Sequence, residues 1–231
     1  AGTSPTSTLD ATARVRGIEH STLLGQPNAT VAATTALDLG SSSATTVNAS
    51  GRADAVGLDR VNAIGVTRGN GDGTSNVRGD AIARLRVDGG APAIPASGPQ
   101  LQTVDVSLNA VGINRSAITG SPTLENNFYA RGLALLELEA FDPADGDVDT
   151  IPASSGPIPL VQYSQLRGIG VNRSTITTGH GDATVVAEGG VFARGASPAD
   201  PARPNHLAAG FNHSTVLTGG GPDIDHPVGV G

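Results

Sequence analysis

A short motif that returns five times constrains this chain more than any other feature. It reads glycine, an apolar residue, two variable residues, serine, a variable residue and a second apolar residue. The copies begin at Gly17, Gly57, Gly112, Gly170 and Gly210, and only the copy at Gly57 departs from the pattern, with valine in place of serine. Successive copies start 40, 55, 58 and 40 residues apart. Constant units joined by loops of variable length are typical of solenoids, so we expect residues 1–231 to form one repeat domain.

Two further segments of each unit have the pattern of short strands. Apolar and polar residues alternate in Ala36–Leu39, Ala83–Arg86, Leu136–Glu139 and Phe192–Arg194. Other short runs precede the motif at Ala13–Arg16, Val106–Val111 and Gln165–Arg167. Residues 132–141 contain good helix formers, but their alternation has a period of two and favours a strand. Three strands per unit, separated by Gly and Asn or Asp turns, predict an all-β fold, a parallel β-solenoid of four to five irregular, triangular coils.

Parallel stacking predicts rows of equivalent side chains about 4.8 Å apart. In the second strands, one outward position would be occupied by four charged residues of alternating sign, Asp38, Arg84, Glu137 and Arg194. Each charge would then have an opposite charge above or below it. The alternative interpretation is four solvated residues that belong to unrelated rows.

The motif itself predicts polar ladders at one corner of the coil. Stacked asparagines can hydrogen-bond through their side-chain amides, which sets the register between coils. The predicted ladders consist of Asn114, Asn172 and Asn212, with Ser116, Ser174 and Ser214 beside them.

The segment from Gly170 to Val185, with its Asn-Arg-Ser motif and Gly-His-Gly-Asp turn, resembles a known family. It is similar to the glycine- and aspartate-rich repeats of RTX-like, haemolysin-type proteins, in the variety found in oscillin-like surface fibril proteins of cyanobacteria. The resemblance implies a secreted β-roll or β-helix with a structural role at the cell surface. The family's turns bind Ca²⁺, but here each turn keeps one carboxylate, Asp72 or Asp182. We therefore expect a solenoid that requires no cofactor.

One acidic segment is a separate candidate for calcium. Four carboxylates occur within eight residues around a glycine, at Asp142, Asp145, Asp147 and Asp149. Carboxylate oxygens are ligands that Ca²⁺ prefers, although the spacing does not match an EF-hand. A solvated acidic loop is the alternative interpretation.

Composition argues against several other functions. The net charge is -7 and the 14 basic residues, all arginine, are scattered singly, so we expect no basic stripe for nucleic acid. No apolar run reaches the roughly 18 residues of a membrane helix, so we expect no membrane insertion. The chain has no cysteine and no H-E-x-x-H or G-x-S-x-G motif, which favours a protein that is not an enzyme.

The remaining expectation concerns assembly. Both ends of the repeat array look open, and uncapped strand edges pair with further copies. We therefore expect an extracellular or cell-surface structural protein whose partner is itself, joined head to tail into a filament or layer. Alternatives are an adhesin, an ice-binding solenoid with a threonine face (Thr22, Thr175 and Thr215), and a polysaccharide lyase.

Overall fold

The repeat units fold into β-strands. The structure, a computed structural model, describes residues 6–25, 28–40, 46–65, 74–89, 101–120, 125–142, 147–150, 160–178, 183–194 and 206–218. Within these ranges there are fifteen strands, and no helix there is long and apolar enough to cross a membrane. The strands are β1 (Thr6–Glu19), β2 (Thr22–Gly25), β3 (Asn28–Gly40), β4 (Thr46–Asp59), β5 (Asn62–Gly65), β6 (Thr74–Asp88), β7 (Leu101–Asn114), β8 (Ala117–Thr119), β9 (Glu125–Asp142), β10 (Asp147–Thr150), β11 (Leu160–Asn172), β12 (Thr175–Thr178), β13 (Ala183–Arg194), β14 (His206–Asn212) and β15 (Thr215–Thr218).

Corresponding strands of successive repeats pair in parallel and build three sheets. The first sheet has the order β1-β4-β7-β11-β14, and the second has the order β2-β5-β8-β12-β15. The third contains β3, β6, β9 and β13, while β10 pairs antiparallel with the end of β9. Each of the first four coils therefore takes one strand from each sheet in chain order, and β14 and β15 belong to a fifth coil. The predicted parallel β-solenoid is confirmed.

Alternation of side chains explains why the leucine-rich segment is a strand. In β9, Leu136 and Leu138 are buried, whereas Glu137 and Glu139 are partly exposed. The extended conformation sends successive side chains to opposite faces, so both leucines reach the core. A helix over the same residues would place some of these glutamates on the face with the leucines. Burial therefore overrides the helical propensity of this segment.

The first-sheet and third-sheet strands of a coil approach each other most closely at the glycine that opens the motif. We call this close approach the waist. A Cβ on Gly112 would lie 2.5 Å from the backbone oxygen of Gly79 and 2.7 Å from the backbone nitrogen of Arg131, across the coil in the third sheet. On one side of this waist Leu108 packs in one buried cluster, and on the other Ile113 packs in a second. The motif glycine is thus required by a close approach of two backbones, not by a turn as the sequence suggested.

This waist changes the predicted outline of the coil. The sequence favoured a triangle of three short strands, but β1, β4 and β7 each have 14 residues and β2 and β5 each have 4. The run before the motif and the first three motif residues are one continuous strand, because the glycine lets the strand pass the opposite sheet. Each of the first four coils has two long strands that touch at the waist and one short strand that closes one lobe.

Candidate functional site: the corner of each coil

Where a first-sheet strand meets the short second-sheet strand, one position of the coil carries a ladder of polar side chains. The register aligns five residues, which we call the polar ladder: Glu19, Asp59, Asn114, Asn172 and Asn212. The amide Nδ2 of each asparagine donates to the Oδ1 of the preceding rung, at 2.7 Å in all three cases. The structure thus joins the three predicted asparagines and adds two carboxylates that sequence reasoning missed. The signal for the carboxylates was present, because they occupy the same motif position.

In four of the five coils, a serine two residues after the ladder residue secures the corner. The hydroxyls of Ser116, Ser174 and Ser214 each donate to the ladder carbonyl of their own coil, at 2.8–2.9 Å. The same oxygens accept a backbone N–H from the preceding coil, at 3.0–3.2 Å. In the second coil Val61 replaces the serine, yet its N–H still donates to Ser116. Each of these three serines therefore ties its own turn to the coil before it.

Between ladder and serine lies a residue with a left-handed backbone. The five residues His20, Arg60, Arg115, Arg173 and His213 have φ values from 48° to 55°. The backbone N–H of each of the first four donates to the ladder carbonyl of the following coil, at 2.9–3.0 Å. All five side chains are exposed. We call this row the basic ridge.

The basic ridge corrects one expectation from the sequence. The arginines are scattered singly along the chain, which suggested that no basic stripe would form. The coils, however, bring three arginines and two histidines into one row, because each follows the ladder residue of its own coil. Every motif copy has a basic residue at this position, so the repeat alignment could have revealed the row.

The outer charged row of the third sheet differs from the predicted row by two residues in one strand. Arg86, not Arg84, is aligned with Asp38 and Glu137, and Glu137 is aligned with Arg194. The signs still alternate along this row. Arg84 contacts Glu137 diagonally, at 3.3 Å, and Arg86 pairs with Glu139 of the next row. A shift of two keeps a side chain on the same face, so alternation alone could not distinguish the two arginines.

A partly buried charged group lies on the outer face of the first sheet. Asp54 accepts hydrogen bonds from Arg16 at 2.6 Å and from Asn109 at 2.7 Å. Burial opposes ionisation of Asp54, but the two hydrogen bonds and the charges of Arg16 and Arg14 outweigh it and lower the pKa of Asp54 below its ordinary value. This group ties the first three coils together, because its members belong to β1, β4 and β7.

The third sheet has a comparable cluster. Arg78 pairs with Asp80 at 2.9 Å, and its guanidinium lies 4.4 Å from the ring centroid of Tyr129. The hydroxyl of Tyr129 donates to Glu188 at 2.7 Å. That hydrogen bond, with burial and the charge of Glu188, raises the pKa of Tyr129. These contacts join β6, β9 and β13.

The acidic segment forms a hairpin where the structure describes it. The backbone of Asp147 is aligned with Asp142, and Asp149 with Ala140, while Asp145 lies outside the described residues. The turn residues Asp72 and Asp182 also lie outside them. Within the described ranges no group of three or more potential ligands could hold a metal ion. Calcium binding by the acidic segment therefore stays a prediction.

The ends of the array expose apolar side chains. The large apolar residues that the described ranges expose are Leu24, Val186, Phe192, Phe211 and Leu217. Each lies in the first or last strand of a parallel sheet. Phe211 is 44% exposed, although its equivalents Leu58, Ile113 and Val171 are 0% exposed. An inward position thus becomes exposed at the last described strand of the first sheet.

Fold and corner together define the class of protein: a parallel β-solenoid held in register by stacked polar side chains. Comparison with known proteins adds no relative, since no family model, no curated protein and no solved structure matches the chain. The assignment of function therefore depends on the geometry of the chain itself.

Proposed function

We propose that the protein is an extracellular structural element that joins head to tail with further copies into a filament or cell-surface layer. The observation that carries the proposal is the exposure of Phe211, an inward residue of the core row, at the edge strand β14. Strand β1 at the opposite end has Ile18 at the equivalent position and leaves its outer edge unpaired within the described chain. Unpaired strand edges are templates for further pairing.

The junction follows from continuing the register by one coil. Strand β1 of one copy would add to β14 of another, and Ile18 would then cover Phe211. This contact is heterologous, because two different surfaces meet, and it propagates if the rotation between copies does not close a ring. The groups at the corner hold coils in register, which is a structural rather than a chemical role. The resemblance to secreted RTX-like repeats supports an extracellular location.

Electron microscopy and sedimentation of the purified protein test this proposal. We expect Phe211→Arg to abolish filaments, because a guanidinium at the junction would have to be buried without a partner. Thr119→Arg is the matched control, since Thr119 is exposed on the side of the third coil and lies away from both edges. Circular dichroism establishes that both variants keep their strands. Dispersed monomers of the unsubstituted protein, or normal filaments of Phe211→Arg, would contradict the proposal.

The ice-binding alternative is weakened by the register of the second sheet. The exposed row beside the basic ridge consists of Thr22, Asn62, Ala117, Thr175 and Thr215. Asn62 and Ala117 interrupt the threonines, so the face is not a regular threonine array. Measurable thermal hysteresis would nevertheless favour ice binding over a structural role. Release of unsaturated sugars from an acidic polysaccharide would favour the lyase.

A further inference from the structure

The basic ridge places three arginines and two histidines in one row along the solenoid. Its members occupy one register position in five consecutive coils, and all are exposed. At about 4.8 Å between coils, the row is about 19 Å long. The protein as a whole has a net charge of -7, so the ridge is a local concentration of positive charge.

Backbone geometry does not account for the arginines of the ridge. A left-handed conformation is least costly for glycine, and among other residues it favours asparagine, aspartate and histidine, so the two histidines suit this backbone but arginine gains nothing from it. Three of the five copies nevertheless have arginine there, at φ values of 48° to 55°. The arginine side chains therefore serve a purpose that the turn itself does not require.

Within the described residues, the arginines of the ridge form no ion pairs with carboxylates, although the ring of His20 lies 3.5 Å from the carboxylate of Glu19. In the described part of the chain, six arginines form ion pairs with carboxylates: Arg14, Arg16, Arg78, Arg84, Arg86 and Arg131. None of the ion pairs there includes Arg60, Arg115 or Arg173, and the guanidinium of Arg60 contacts the ring of His20 at 2.7 Å.

We propose that the basic ridge binds one extended chain of an acidic polysaccharide, whose carboxylate or sulfate groups pair with successive coils. The adjoining exposed row, with Thr175 and Thr215 beside Arg173 and His213, offers hydroxyl groups to the sugar hydroxyls. The inference does not depend on the proposed assembly. If copies do join head to tail, His20 of one copy follows His213 of another and the ridge becomes continuous.

The width of the ridge favours a single polymer over other anions. A planar anionic membrane would face the acidic molecule as a whole and not one row of cations. Duplex nucleic acid requires a broad basic surface, because phosphates line both strands. Single-stranded nucleic acid is bound largely by stacking on aromatic rings, and the row beside the ridge contains none. A linear polysaccharide carries one row of charges, which matches the basic ridge, and many hydroxyls, which match the adjoining exposed row.

Binding of fluorescently labelled polygalacturonate and dextran sulfate, measured by anisotropy at low ionic strength, tests the inference. The test variant is Arg115→Asn/Arg173→Asn, because asparagine suits the left-handed backbone and keeps the turn. The control is Arg52→Asn/Arg194→Asn, which removes two exposed arginines elsewhere and changes the net charge equally. We expect Kd to rise about tenfold for the ridge variant, as for the loss of two exposed ion pairs, and to change less than about twofold for the control.

Measurements on the Phe211→Arg background separate this inference from the proposed assembly. If the unassembled protein binds neither polymer, or if both double variants lose affinity equally, the ridge proposal is wrong and the assembly proposal is unaffected. Tighter binding of single-stranded DNA, or of phosphatidylglycerol vesicles, than of both polysaccharides would also overturn it. Uncharged dextran is the control for interactions that do not involve charge.

Discussion

At the corners of the last three coils, three consecutive residues have separate tasks. The first bonds to its equivalent in the neighbouring coil, the second turns the backbone and exposes a charge, and the third returns a hydroxyl to the carbonyl of the first. The asparagines and serines could be recognised from the motif, because their residue types bond to themselves when stacked. The left-handed backbone at the three arginines could not, because arginine does not favour it, although every motif copy has a basic residue at this position.

Removing one rung of the polar ladder should destabilise the protein. Asn172 is 6% exposed and bonds to rungs on both sides. We expect Asn172→Ala to lower the free energy of unfolding by about 2–3 kcal/mol, because two neighbouring amide groups lose a partner. Urea denaturation measures the change. Asn62→Ala, at an exposed site of the second coil, is the control, and an equal effect of both substitutions would contradict the role of the ladder.

Low pH should remove the contribution of Asp54 to the free energy of unfolding. Its pKa is lowered in the folded protein, so its stabilisation is present above the unfolded value of about 3.9 and is lost as the pH falls through the folded value. We expect the stability difference between the unsubstituted protein and Asp54→Asn to shrink below about pH 4. Denaturation at pH 7 and at low pH measures it. Asp38→Asn, at an exposed site, is the control, and a difference that is independent of pH would contradict the mechanism.

At the scale of strands, the waist determines how the long sheets pack. The alternation in β9 and the stacked runs of the third sheet could be read from the sequence, because a strand with one buried face has a period of two. The length of the first-sheet strands and the position of Arg84 could not. Strand length depended on a contact between Gly112 and the opposite sheet, and a shift of two residues leaves the pattern of faces unchanged.

Adding a methyl group at the waist should therefore lower the free energy of unfolding. We expect Gly112→Ala to destabilise the protein by about 3 kcal/mol or more, because the Cβ meets backbone atoms, which cannot move aside as a flexible side chain can. Gly40→Ala is the matched control, since nothing lies within 4 Å of its added Cβ, and we expect it to be neutral or slightly stabilising. Urea denaturation compares the two. Similar stabilities of both variants would show that the waist is not as closely packed as described.

At the scale of the whole molecule, the inward side chain Phe211 of the last coil is more exposed to solvent than its equivalents in the middle three coils. The proposed assembly depends on this difference. The amide ladder does not continue across the proposed junction. Asn212 would meet Glu19 of the next copy, and an ionised carboxylate has no proton to donate to its Oδ1. The junction would then depend on strand pairing and on the contact between Ile18 and Phe211. It should be weaker than the contact between internal coils.

Restoring the ladder at the junction should strengthen assembly. We expect Glu19→Asn to lower the concentration at which filaments form by about fivefold, because one amide hydrogen bond of about 1 kcal/mol is gained at each junction. Light scattering against protein concentration measures the threshold. Glu188→Gln, which removes a carboxylate from an exposed position of β13, is the control for net charge. An unchanged threshold for Glu19→Asn would contradict the proposed register of the junction.

The amino-acid sequence by itself determined that the chain is an all-β repeat with parallel coils, because the motif and the period of two recur in each unit. It also contained the polar ladder, since equivalent motif positions must stack when coils are in register. Only the tertiary structure decided the two-lobed coil, the row that includes Arg86, and the exposure of the basic ridge at the corners. These depend on distances across or between coils, and such distances are set when residues about 40 to 58 positions apart come into contact.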